Sequence, residues 1–130
     1  MSLKKCMVSS TGKKINMNKR EIGSRYESIV RTYLEKHNYK IICQNYRTKI
    51  GEIDIIAKNE NYLCFIEVKY RDKESLASGL YAVDKLKQKT IYNVANIYMI
   101  ENGIDDDTLC RFDVVSVDGS VIYLIKNAFP

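Results

Sequence analysis

The chain has 130 residues, enough for one domain with one core. Hydrophobic residues make up 45% and charged residues 28%, the composition of a soluble globular chain. No apolar run approaches the roughly 20 residues that cross a bilayer, and no signal-peptide core follows the basic start, so no membrane partner is expected.

The net charge of +5 is unevenly placed. Residues 1–20 hold six Lys/Arg and no acid, while the rest holds 15 basic and 16 acidic residues. Any case for nucleic acid therefore rests on where charges cluster and not on their sum. Residues 1–17 lack periodicity and read as a disordered basic arm, with a single domain over 18–130. Cys6, Cys43, Cys64 and Cys110 are too far apart for a zinc or redox motif. They predict buried free thiols in a cytoplasmic protein.

A helix is expected over 19–37. Asn18 with Glu21 forms a capping pair, Ile22, Tyr26, Ile29, Val30, Tyr33 and Leu34 make a buried stripe, and Asn38 suits a left-handed stop. Glu27 lies at the edge of that stripe. It reads either as a surface glutamate paired with Arg31 or as a carboxylate pointing past the rim of the core. A strand follows over 39–46, and Arg47-Thr48-Lys49 reads as a basic turn.

The stretch 51–71, GEIDIIAKNENYLCFIEVKYR, reads as two strands joined by a polar turn at Asn59-Glu60-Asn61. Folding it about Glu60 brings Asp54 opposite or next to Glu67, and period-two geometry puts Phe65, Glu67 and Lys69 on one face. Opposed carboxylates repel and are costly to bury. Two readings stand side by side. One is a cross-strand salt-bridge cluster on a solvated face. The other is a Mg²⁺ or Mn²⁺ ion between Asp54 and Glu67, with the Lys69 ammonium beside it.

Residues 70–79 read as a mobile loop beside that site. A second helix is expected over 84–101, with Leu86, Thr90, Ile91, Val94, Ile97 and Tyr98 buried. Lys87 falls within that face on the first turn and must snorkel out or find an anion. Gln88 lies at its edge, and Lys85 and Lys89 point to solvent. Residues 102–107 form an acidic loop, 111–117 a fourth strand, Asp118-Gly119 a hairpin turn, and 120–126 a fifth strand. The order is α-β-β-β-α-β-β, an α/β fold on a single mixed sheet.

Several separated pieces occur in order: Gly23 with Glu27, Asn45-Tyr46-Arg47, Gly51-Glu52-Ile53-Asp54-Ile55-Ile56-Ala57, Phe65-Ile66-Glu67-Val68-Lys69, Lys87-Gln88 and Arg111-Phe112-Asp113-Val114-Val115. Together they resemble the YraN-like family of small bacterial proteins. That family is similar to the PD-(D/E)xK nuclease superfamily, with archaeal Holliday-junction resolvases among its relatives. The resemblance covers about residues 21–117 and implies a restriction-endonuclease-like core. The first helix departs from the pattern. Tyr26 and Val30 stand where glycine and alanine are usual, and Asn38 replaces a glycine.

The resemblance implies a catalytic set of Asp54, Glu67, Lys69 and Gln88, with Mg²⁺ or Mn²⁺ held by Asp54, Glu67 and, through water, Glu27. Lys87 would face the scissile phosphate, and Arg47, Lys49, Arg71 and Lys73 would follow the backbone of the nucleic acid. The expected activity is a metal-dependent endonuclease acting on branched or single-stranded DNA, because no base-reading element is present. The alternatives are a nucleic-acid-binding adaptor that keeps the fold without turnover, and an interaction domain with no nucleic-acid partner. A homodimer is a further expectation, since exposed sheet edges invite pairing.

Overall fold

A computed structural model describes residues 17–71 and 83–129, with side chains placed from Tyr26 to Tyr70 and from Val83 to Phe129. The elements are α1 (Met17–Lys36), β1 (Tyr39–Thr48), β2 (Gly51–Asn59), β3 (Tyr62–Arg71), α2 (Lys85–Glu101), β4 (Cys110–Asp118) and β5 (Val121–Ile125). The expectations for residues 1–16, for most of the loop after β3 and for Lys73 lie outside the described residues, as does the side chain of Arg71.

The five strands form one sheet in the order β1-β2-β3-β4-β5. All neighbours are antiparallel except β3 and β4. That parallel pair needs a crossover, and α2 supplies it. The tight connections use residues that tolerate a left-handed backbone. Asn38 (φ 70°) ends α1, as expected, and Gly119 (φ 63°) turns β4 into β5. Glu60 (φ 57°) turns β2 into β3 in a two-residue loop that pairs Asn59 with Tyr62.

The helices cover opposite faces of the sheet. Ile91, Val94, Ala95 and Tyr98 of α2 pack with Ile53, Ile56, Phe65, Phe112 and Val114. Val30 and Leu34 of α1 pack with Ile55, Ala57, Ile66, Val115 and Val117. Gly51 lets α2 come close, because a Cβ there would meet Thr90 Cγ2 at 2.5 Å.

Two expected core positions are corrected. Leu86 is 76% exposed and Ile29 is 47% exposed. At 100° per residue Leu86 lies on the far side of α2 from Ile91, Val94 and Tyr98, whereas Lys87 lies on their face. Ile29 sits one position off the Val30–Leu34 line. Boundaries also move. α1 begins at Met17, so Asn18 lies inside the helix and is not its cap. Arg47 belongs to β1, so the turn is Lys49-Ile50, and β3 runs on through Tyr70 and Arg71.

A buried polar network ties β1, β2 and β4 together. Asp113 accepts from Tyr39 Oη (2.7 Å), from Arg111 Nε (2.9 Å) and from the Asn127 N–H (2.9 Å). Arg111 also donates to Asn59 Oδ1 at 2.8 Å. Fully partnered charges of this kind fix which strands lie together, and losing one partner is costly.

Candidate active site at the fork of two strands

The paired register of β2 and β3 runs from Asn59–Tyr62 to Ile55–Ile66. Beyond it β2 stays with β1 as far as Gly51, while β3 stays with β4 as far as Arg71. One more step along the register places Asp54 opposite Glu67, as the hairpin reading expected. There the strand ladder gives way to a side chain, and the Val68 N–H donates to Asp54 Oδ2 at 2.8 Å.

Asp54 also sits at a slip in strand alternation. Ile53 and Ile56 both face the α2 core, while Ile55 faces the α1 core. Across from it, Cys43 and Tyr46 likewise share the α2 side. Asn45, between Gln44–Ile55 and Tyr46–Ile53 in the register, has φ 55°. A left-handed residue inside a strand shifts the in-out phase and re-aims its neighbours, a device common beside active sites. Asp54 is thereby held at the fork.

Burial, first, and the nearby Glu67 charge push the Asp54 carboxyl up to about 7. Glu67 is also raised by burial, against the pull of Lys87 and Lys69. Lys87 Nζ lies 3.6 Å from Glu67 Oε2, with the lysine side chain 44% exposed and the glutamate 13%. The lysine on the buried face of α2 has therefore found its anion. No acid stands in the first turn of α2, where the helix dipole favours one, and Lys85 and Lys87 stand there instead. Asp84 caps the helix, accepting the Lys87 N–H at 2.9 Å.

On the α1 side a pocket of about 90 Å³ is lined by Glu27, Val30, Gln44, Asn45, Asp54, Ile55, Val68 and Tyr70. Glu27 thus shares a cavity with Asp54, while Arg31 turns to Glu35 (3.3 Å) and Gln44 (3.1 Å). Burial, Glu27 and Asp54 push the Tyr70 phenol up to about 12.

The other expected residues are spread more widely. The Gln88 amide donates to the Val83 carbonyl at 2.7 Å, which ties it to the start of its own helix. Arg47 pairs with Glu52 at 3.0 Å on the surface, and Lys49 is exposed in the β1–β2 turn. Lys69 is half-buried on β3. Asn45, Gln44 and Tyr70 were not singled out as site residues. An asparagine in the middle of a strand, where that residue is disfavoured, was the available signal for the first.

The donor set suits a hard divalent ion. Asp54 and Glu67 are oxygen ligands with few other partners for their charge, and Mg²⁺ is commonly held by one or two carboxylates plus water. Among the described residues no group of three His, Cys, Asp or Glu side chains converges on one point.

A family model described as "Uncharacterised protein family UPF0102" matches residues 26–117. The chain belongs to this family, the YraN family. A UPF0102 protein of Lachnoclostridium phytofermentans is 42% identical over 113 residues, covering 87% of this chain and 96% of the relative. One from Fusobacterium nucleatum is 44% identical over 111 residues, covering 85% and 92%. One from a Sulfurihydrogenibium species is 40% identical over 113 residues, covering 87% and 97%. The matched region spans the fork, both carboxylates, Lys69 and the α2 lysines. Among the described residues no helix is long and apolar enough to cross a membrane.

Proposed function

We propose that this YraN-family protein is a Mg²⁺- or Mn²⁺-dependent phosphodiesterase that cuts DNA at branched or single-stranded places. The observation that carries the reading is the pair of half-buried acids, Asp54 and Glu67, at the end of the β2–β3 ladder with two lysines beside them. Isolated buried carboxylates destabilise a fold, and an ion between them removes both the repulsion and the desolvation cost.

Asp54 and Glu67 would hold the ion, with Glu27 acting through water from the α1 side. When bound, the ion supplies an acidified water and offsets charge on the phosphoryl oxygens. Lys69, next to Glu67 in the Glu-x-Lys motif, orients the attacking water and balances phosphate charge. Lys87 and the positive end of α2 hold the phosphate in line. Gln88, tied to Val83, fixes the start of α2 and so the reach of Lys87. Arg47 and Lys49 lie at the β1–β2 end of the sheet, where they would follow the backbone.

A second reading keeps nucleic-acid binding without turnover. The Lys87–Glu67 ion pair favours it, because it satisfies one of the two acids without any ion. The deciding experiment incubates the protein with flapped and branched DNA in Mn²⁺, beside Asp54→Ala and Lys69→Ala. Cutting by the wild type alone supports the enzyme. Equal cutting by all three points to a contaminant, and metal-independent binding without cutting supports the adaptor.

A further inference from the structure

A pair of tyrosines stands at the α1 side of the fork and has no part in the scheme above. Tyr26 of α1 and Tyr70 of β3 have ring centroids 5.2 Å apart, tilted at 48°. Tyr70 lines the same pocket as Asp54, Glu27 and Asn45, yet it remains 49% exposed. A large aromatic ring left half in water beside an acidic pocket leaves a flat apolar surface open to a second ring.

Strand geometry separates two kinds of surface across the fork. Ile66 and Val68 pack on the α1 side, and Tyr70 follows them at period two. Glu67 faces α2, where Lys87 meets it, and Lys69 follows on that side. The α1 side is therefore aromatic and lined by acids, and the α2 side carries the lysines. A phosphate is attracted to the lysine side and repelled by Glu27 and Asp54. A neutral, flat group is suited to the tyrosine side. Along β3, Tyr70 lies two residues from Val68, roughly 7 Å at about 3.3 Å per residue. Tyr70 therefore stands within about one nucleotide's length of the Val68 N–H that holds Asp54 at the fork.

We propose that Tyr26 and Tyr70 form a stacking platform for one unpaired nucleobase of the strand whose phosphate lies at the fork. The inference rests on the nuclease reading and names its substrate class as single strands, flaps and gaps. In a duplex each base face is covered by its neighbours, so only an unstacked base can use such a platform. Stacking tolerates any base, in keeping with the lack of a base-reading element.

The test uses a single-stranded oligonucleotide carrying 2-aminopurine, whose fluorescence is quenched by stacking, and a matched duplex, both in Ca²⁺. Wild type and Tyr70→Phe should bind the single strand and quench it. Tyr70→Leu should bind it about tenfold more weakly, with the quench lost and duplex affinity unchanged. Tyr26→Leu, on the other element, should show the same selective loss, and circular dichroism confirms that each variant is folded. Quenching by Tyr70→Leu equal to wild type, or equal losses on both substrates, overturns the platform. A parallel Mn²⁺ cleavage assay separates the two ideas. Tyr70-dependent quenching without cleavage keeps the platform and ends the nuclease reading. Cleavage with a quench indifferent to Tyr70 ends the platform alone, and no binding to either substrate ends both.

Discussion

The Val68 N–H donates to Asp54 at 2.8 Å, one residue past the point where Asp54 faces Glu67. A carboxylate has replaced a strand carbonyl as the acceptor, so the acid is fixed by the same backbone that carries Glu67 and Lys69. This bond favours the charged form of Asp54, while burial and Glu67 oppose it more strongly.

A pH dependence follows from that balance. Both carboxyls are raised in the folded chain, so without divalent ions the native state holds protons that the unfolded chain releases. The stabilising contribution of Asp54 is full below the ordinary carboxylate range and is lost as pH rises through about 7; that of Glu67 has the same sign, because its carboxyl is raised too. Thermal unfolding in EDTA should show wild type weakening between pH 5 and pH 8. Asp54→Asn should be flatter, and more stable than wild type at pH 8 by on the order of 2 kcal/mol. Parallel curves for the two proteins would remove the repulsion from the account.

Lys87 pairs with Glu67 from a side chain that is nearly half exposed, so its contribution to stability is small. Lys87→Met should cost less than about 1 kcal/mol in denaturant unfolding. Its effect on DNA affinity should be larger. Without the Lys87 ammonium one phosphate goes unneutralised, and the slope of log affinity against log salt falls by about one. An unchanged slope would assign Lys87 to structure alone.

Asp113 is fully buried and accepts from Tyr39 of β1, from Arg111 of its own strand and from the Asn127 N–H beyond β5. Asp113→Ala leaves the Arg111 guanidinium buried without its carboxylate and the Tyr39 hydroxyl without an acceptor for its proton, although Arg111 still donates to that hydroxyl at 3.0 Å. The cost should be about 3–5 kcal/mol, measured by urea unfolding. Asp113 lies one register step from Glu67, but the network's hydrogen bonds run to Tyr39, Asn59, Arg111 and Asn127 and include neither Asp54 nor Glu67, so the folded fraction should keep its affinity for Mn²⁺.

The opposition of Asp54 and Glu67 was legible in the sequence because both its determinants are local. A two-residue turn sets the register, and period two sets the face of Glu67. Lys87 was legible in the same way, as a cation on an apolar helix face. Leu86 and Ile29 were misread because apolar character was allowed to outweigh helix angle at positions off the buried line. The phase slip at Asn45 and the Tyr39–Asn59–Arg111–Asp113 network were not legible. The first depends on one left-handed residue, and the second joins residues that only the folded sheet brings together. The Tyr26–Tyr70 ring pair also joins two elements, and neither residue signals it alone.

The central claim is that Asp54 and Glu67 share a divalent ion, and calorimetric titration with MnCl₂ near pH 7.5 tests it most directly. The account predicts saturable binding by the wild type, greatly weakened in Asp54→Asn and in Glu67→Gln, with protons released as the raised carboxyls ionise. Absence of binding heat in several buffers, or the same binding in all three proteins, would contradict it.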